Sequence, residues 1–159
     1  MLSEDKLYQY GLPRTEDINC IVIHNTGNYE KSAKELYDYL ENECTTTNGT
    51  HFLVDHNEVI QVAPLDWAIF NTGNGYDYSF HHSIAIEICS NNDDELYLQG
   101  QDKAIELIKE LMNEYKIPRS EIYFHKDFAP NFYCPNDILR IYKTKKRFLD
   151  TFINTGGKK

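Results

Sequence analysis

Asn19-Cys20-Ile21-Val22-Ile23-His24 is a short, β-branched, apolar run that ends on an imidazole. Its length and composition predict a buried strand. Working outward, residues 31–42 carry Ala33, Leu36, Tyr37 and Leu40 at helical spacing. Residues 50–54 and 59–62, separated by Asp55-His56-Asn57-Glu58, read as a β-hairpin. Residues 82–89 are rich in isoleucine and predict another strand, in which Glu87 stands between Ile86 and Ile88. An amphipathic helix is expected over 100–115, ending before Pro118, then a short strand over 122–125. A final helix is expected over 136–153, with Asn136 or Asp137 as its N-cap. Strands alternating with helices predict an α/β layer fold.

The 159 residues fit one domain, and 41% hydrophobic with 13% aromatic residues is enough for a real core. Residues 1–153 are expected to be that domain. Asn154-Thr155-Gly156-Gly157-Lys158-Lys159 reads as a tail or the start of a linker. A net charge of −9 argues against nucleic acid as a partner. The cluster Lys143, Lys145, Lys146 and Arg147 reads as a solvated helix face. No apolar stretch approaches membrane-span length, so no membrane insertion is expected. The opening Met1-Leu2-Ser3-Glu4-Asp5-Lys6 lacks a basic region followed by an apolar run. The expectation is therefore a chain without a signal peptide, held in the cytoplasm.

Four cysteines are scattered without paired spacing. Cys20 and Cys89 sit in apolar runs and read as small buried side chains, and Cys44 is given no role. Cys134 differs. With His24 and His125, each closing a strand, it offers two imidazoles and a thiolate, a set suited to tetrahedral zinc with one position left for water. A lone histidine at a strand end is more often a hydrogen-bonded structural group, so spacing alone leaves both readings open.

The blocks around these residues add context. They are Ile23-His24-Asn25-Thr26-Gly27, Thr50-His51-Phe52-Leu53-Val54-Asp55, Ser83-Ile84-Ala85-Ile86-Glu87-Ile88-Cys89, and His125-Lys126-Asp127-Phe128-Ala129-Pro130-Asn131-Phe132-Tyr133-Cys134-Pro135. In this order they resemble the type-2 zinc N-acetylmuramoyl-L-alanine amidases, a family that includes the peptidoglycan-recognition proteins. The look is that of amidase domains from Gram-positive phage endolysins and prophage autolysins, over residues from about 18 to about 145. The resemblance implies a central mixed β-sheet flanked by helices, with one zinc ion held by His24, His125 and Cys134. It implies hydrolysis of the amide between N-acetylmuramic acid and L-alanine in peptidoglycan. Glu87 matches the acidic residue that serves as general base and then passes the proton to the leaving amine. A carboxylate on an otherwise apolar strand agrees, because its desolvation needs a partner or a job.

The chain also departs from that pattern. Many relatives carry lysine, threonine or arginine two residues before the cysteine, where this chain has Phe132, and the His-to-Cys stretch is one residue longer. Trp-His-Ala-Gly of many relatives is Phe70-Asn71-Thr72-Gly73 here, and a tyrosine of some is Thr50. Asn71, Lys126 and His51 are expected as substitute oxyanion donors or substrate contacts. The glycine-, amide- and aromatic-rich loop 71–80 is expected to wall a substrate groove with Phe70, Thr72, Gly73 and Asn74.

Two other classes stay open. One is a non-catalytic peptidoglycan-binding module, which Phe132 favours and Cys134 opposes. The other is a cysteine hydrolase with Cys134 as nucleophile and His125 or His24 as base. For the amidase, the expected partners are a C-terminal cell-wall-binding domain and a holin-type pore that releases the protein to the wall.

Overall fold

The computed structural model describes residues 1–153. The tail or linker expected over 154–159 lies outside the described residues. The chain opens with α1 (Glu4–Tyr10), β1 (Gly11–Pro13) and β2 (Cys20–Asn25). Then come α2 (Ala33–Asn42), the hairpin β3 (Phe52–Val54) and β4 (Val59–Gln61), and β5 (Trp67–Ile69). Next are α3 (Tyr78–His82), β6 (Ser83–Ile88), α4 (Asp94–Tyr115) and β7 (Ile122–Phe124). Three short helices follow, α5 (His125–Phe128), α6 (Asn136–Tyr142) and α7 (Lys145–Asp150). The main sheet runs β4-β3-β6-β2-β7, with β3, β6, β2 and β7 parallel and β4 antiparallel to β3. This is the mixed α/β architecture expected from the sequence.

Alternation along the strands divides the sheet into two faces. Ile21, Ile23, Ile84, Ile86 and Ile88 are fully buried in one core with Ala104, Ile105 and Ile108 of α4. Burying each isoleucine contributes about 1.5–3 kcal/mol. The opposite face carries Leu53 into a second core with Ala33 of α2 and Ile69 of β5. Helix α2 begins at a capping box, in which Ser32 accepts from Glu35 N–H and the Glu35 carboxylate accepts from Ser32 N–H.

Register builds the functional end. His24 pairs with Glu87 across β2 and β6, and Glu87 pairs with Leu53 across β6 and β3. Ile23 pairs with Phe124 of β7, so His125 falls level with His24 one residue past the strand end. Three parallel strands therefore deliver His24, Glu87 and His125 to one row at their carboxyl ends, where open α/β sheets bind ligands.

Several expectations are corrected. His125 opens α5 rather than closing β7, and β6 starts one residue later than expected, after α3. Helix α4 begins at Asp94, where Asp93 accepts from the Glu95 and Leu96 amides. Gly100 is not a breaker there: a Cβ would meet the Asp55 backbone at 3.0 Å, so glycine permits close packing of the helix on the hairpin turn. The expected final helix is split, because Lys143 takes a φ of 66° and Thr144 caps a new start by accepting from Arg147 N–H. Its first segment begins at Asn136 with Pro135, not Asn136 or Asp137, in the capping position.

The small antiparallel ribbon of β1 and β5 was not expected from the sequence. It is tied to the main sheet by Arg14, whose guanidinium donates to the carbonyls of Leu65, Trp67, His81 and Ser83 at 2.7–2.9 Å. One half-buried cation thus joins the ribbon, α3 and the start of β6.

Candidate metal centre and active site

His24, from β2, is 2% exposed. His125 and Cys134 are half-buried beside it, and one donor atom from each of the three lies within 4.8 Å of the others. Tetrahedral zinc with bonds of about 2.0–2.3 Å holds its ligands roughly 3.5 Å apart, so small side-chain movements close the set on an ion. The donor chemistry also fits. Burial pulls the His24 pKa down to about 3, with His125 adding to the effect, and burial lowers His125 as well. Both rings are therefore held neutral, the form that ligates metal.

Hydrogen bonds fix which nitrogen is free. The Asn71 amide donates to the Ile69 carbonyl at 3.0 Å and to Ser83 Oγ at 3.2 Å. Its Oδ1 therefore faces His24 Nε2 at 3.1 Å and accepts from it. The His24 proton is thereby assigned to Nε2, and Nδ1 presents a lone pair 3.9 Å from Cys134 Sγ. His125 Nε2 donates to the Thr72 carbonyl at 3.1 Å, which leaves its Nδ1 free in the same way. The stretch between the two later residues is a closed turn, with Lys126 N–H on the Cys134 carbonyl and Phe132 N–H on that of Ala129.

These three residues and Glu87 line one end of a cavity of about 300 Å³. The Glu87 carboxyl has no hydrogen-bond partner among the described residues, and burial alone pushes its pKa up to about 7. Burial, reinforced by the Glu87 charge, pushes the Cys134 thiol up to about 12. That is the opposite of the depressed pKa that a cysteine nucleophile requires.

The remaining sequence expectations are redistributed. Asn71 is 6% exposed with its amide hydrogens committed to Ile69 and Ser83, so it orients His24 and has no hydrogen for an oxyanion. His51 is fully enclosed and does not line the cavity: Nδ1 accepts from Ala85 N–H and Nε2 donates to the Trp67 carbonyl. The Lys126 ammonium lies 6.0 Å from the centre of the Tyr133 ring, away from the cavity lining. Phe70, Thr72, Gly73 and Asn74 do not wall the cavity either. Phe70 stacks on Phe80, Thr72 bonds Asp77 and Ser79, and Asn74 braces the Phe128 carbonyl. Gly73 takes a φ of 78°, the left-handed turn geometry that glycine favours.

The cavity instead runs toward the inner side of α2, past Leu36, Tyr39 and Leu40, and along residues 44–50. Leu36 and Leu40 gave a helical signal that reads as core packing, and nothing in their spacing marks a cavity wall.

Comparison with known proteins follows the same lines. Residues 14–137 match the Amidase_2 family, described as N-acetylmuramoyl-L-alanine amidase. The N-acetylmuramoyl-L-alanine amidase XlyB of Bacillus subtilis (strain 168) is 33% identical over 141 residues, covering 87% of this chain and 43% of XlyB. CwlA of the same organism is 33% identical over 135 residues, 82% of this chain and 48% of CwlA. The chain thus spans under half the length of these curated relatives. The catalytic domain of XlyA superposes with a TM-score of 0.75 at 30% identity, covering 92% of each chain. The PlyL structure superposes at 0.84 with 25% identity, covering 95% of this chain and 92% of that one. The chain belongs to the Amidase_2 family of N-acetylmuramoyl-L-alanine amidases.

Proposed function

We propose that residues 1–153 form the catalytic unit of a zinc-dependent amidase that cleaves the bond between N-acetylmuramic acid and L-alanine in peptidoglycan. One observation carries this reading: two neutral imidazoles and a thiol converge at a cavity end that also holds a carboxyl poised near neutrality. Zinc held by His24 Nδ1, His125 Nδ1 and Cys134 Sγ would polarise the scissile carbonyl and acidify water. Glu87, level with His24 on the neighbouring strand, takes the proton of the attacking water and returns it to the leaving amine. Neither Phe132 nor Asn71 offers a hydrogen to the developing oxyanion. Slower turnover than in relatives with a donor at the Phe132 position is the expected consequence.

The net charge of −9 gives the chain no attraction of its own to anionic wall polymers. A separate cell-wall-binding domain, such as the length of the curated relatives beyond the matched region leaves room for, would supply it. Among the described residues no helix is long and apolar enough to cross a membrane. Passage from the cytoplasm to the wall is assigned to a holin-type pore.

The direct test measures bound zinc by elemental analysis and new amino groups released from Gram-positive sacculi, with and without chelator. About one zinc per chain and chelator-sensitive release are expected. Zinc without release would instead support a peptidoglycan-binding module. Protein purified without chelator and free of zinc would remove the ligand assignment altogether.

The same reading gives Asn71 a measurable part. Asn71→Ala should weaken zinc about 10–100-fold in competition with a chromogenic chelator, because His24 loses the partner that fixes its tautomer. Unchanged affinity would show that the Asn71 bond does not orient the ligand.

A further inference from the structure

Phe132 and Tyr133 are 59% and 63% exposed, immediately before Cys134. The Phe132 ring lies 5.2 Å from the His125 ring and within 14° of parallel to it. One aromatic face thus rests on the imidazole while the other is open to solvent. The ring is not on a loose loop. Ala129 N–H bonds the His125 carbonyl at 3.0 Å, Phe132 N–H bonds that of Ala129 at 2.9 Å, and Lys126 N–H bonds that of Cys134 at 3.0 Å. Lys126 also stands over the Tyr133 ring. Two apolar rings are therefore held rigid in water on the rim of the candidate metal centre.

We propose that Phe132, flanked by Tyr133, is a stacking platform for the pyranose ring of the muramoyl residue that carries the scissile amide. The proposal rests on the amidase reading above. In that substrate the reacting carbonyl belongs to a lactyl group ether-linked to the sugar, so the pyranose sits only a few bonds from the reacting carbon. With the carbonyl at the His24, His125 and Cys134 cluster, the proposal runs the stem peptide along the cavity toward α2 and sets the sugar on the opposite rim beside His125, where Phe132 presents its open face. A pyranose has a face of C–H bonds that is complementary to the electron-rich face of an aromatic ring. The platform is preorganised, so stacking costs little further ordering. The residue that cannot donate to an oxyanion serves here as a determinant of glycan recognition.

The test uses the full chain loaded with zinc and two soluble substrates that share the scissile amide. One is a disaccharide–pentapeptide ending in N-acetylmuramic acid; the other is the D-lactoyl pentapeptide, which lacks the sugar. Phe132→Ala should lower the ratio of kcat/KM between the sugar-bearing and sugar-free substrates about tenfold, mainly through KM, as loss of one aromatic stack predicts. Phe132→Trp should restore it. In a Glu87→Gln background, calorimetric titration with the disaccharide–pentapeptide should show a Kd weakened to a similar extent by Phe132→Ala, and no such change with the D-lactoyl pentapeptide.

An unchanged ratio and unchanged Kd overturn the platform. So does an equal loss on both substrates, which would mark Phe132 as a cover for His125 or a seat for another domain. If the wild type cleaves neither substrate, the amidase reading fails and the titration decides alone. Phe132-dependent, sugar-dependent binding keeps the platform, and sugar-blind binding removes it.

Discussion

Replacing Glu87 with glutamine is expected to lower release of amino groups from sacculi by about 10²–10⁴-fold, while zinc content stays at the wild-type level. The substitution preserves shape and removes only the capacity to carry a proton. Glu87 sits on β6 between His24 of β2 and Leu53 of β3, so its carboxyl points into the cavity from the middle of the sheet. Among the described residues no hydrogen bond or opposite charge holds it ionised, and burial brings its pKa to about 7. A base with that pKa exchanges a proton readily near neutrality, as both halves of the amide cleavage require. Glu87 is not one of the three clustered donors, which is why metal retention is expected. Loss of zinc together with activity would make Glu87 a fourth ligand. Full activity in the glutamine variant would place the base elsewhere.

The sheet made this much of the site legible in the sequence. His24 and Glu87 lie in short isoleucine-rich runs whose type is set by composition, and parallel pairing then places them at one end. His125 follows because β7 stops one residue before it. The partners of these residues were not legible. Asn71 reaches His24 across 47 residues and Ser83 across 12, through a loop whose composition suited a groove as well as a brace. Arg14 donates to four main-chain carbonyls, 51 to 69 residues away, and a carbonyl has no signature in a sequence. The direction of the cavity was hidden for a related reason. Leu36 and Leu40 have the same helical spacing whether they pack a core or wall a cleft.

His51 carries the second large effect, on stability in acid. Its ring is fully enclosed, and both nitrogens are committed in the neutral form: Ala85 N–H donates to Nδ1 at 2.9 Å, and Nε2 donates to the Trp67 carbonyl at 2.9 Å. Arg14 Nη2 stands 3.4 Å from Nε2. A proton added to Nδ1 would face the Ala85 N–H and place a second positive charge beside Arg14. Burial, helped by Arg14 and opposed by the Trp67 carbonyl, holds the pKa near 3 against an ordinary 6.5. Below 6.5 the unfolded chain takes up a proton that the folded chain refuses, so stability is full above that value and is lost as pH falls toward 3. At about 1.4 kcal/mol per pH unit, this single side chain costs roughly 3 kcal/mol at pH 4 relative to neutrality. His51→Asn keeps an acceptor near the Ala85 N–H and has no proton to gain. Urea unfolding of both proteins at pH 7.5 and pH 4 should therefore show their stability difference shift by about that amount in favour of the variant. Contributions from His24 and the carboxylates are common to both proteins and cancel. Parallel loss of stability in the two would mean that His51 accepts its proton inside the fold, and that the Arg14–His51 contact yields to acid without opening the core.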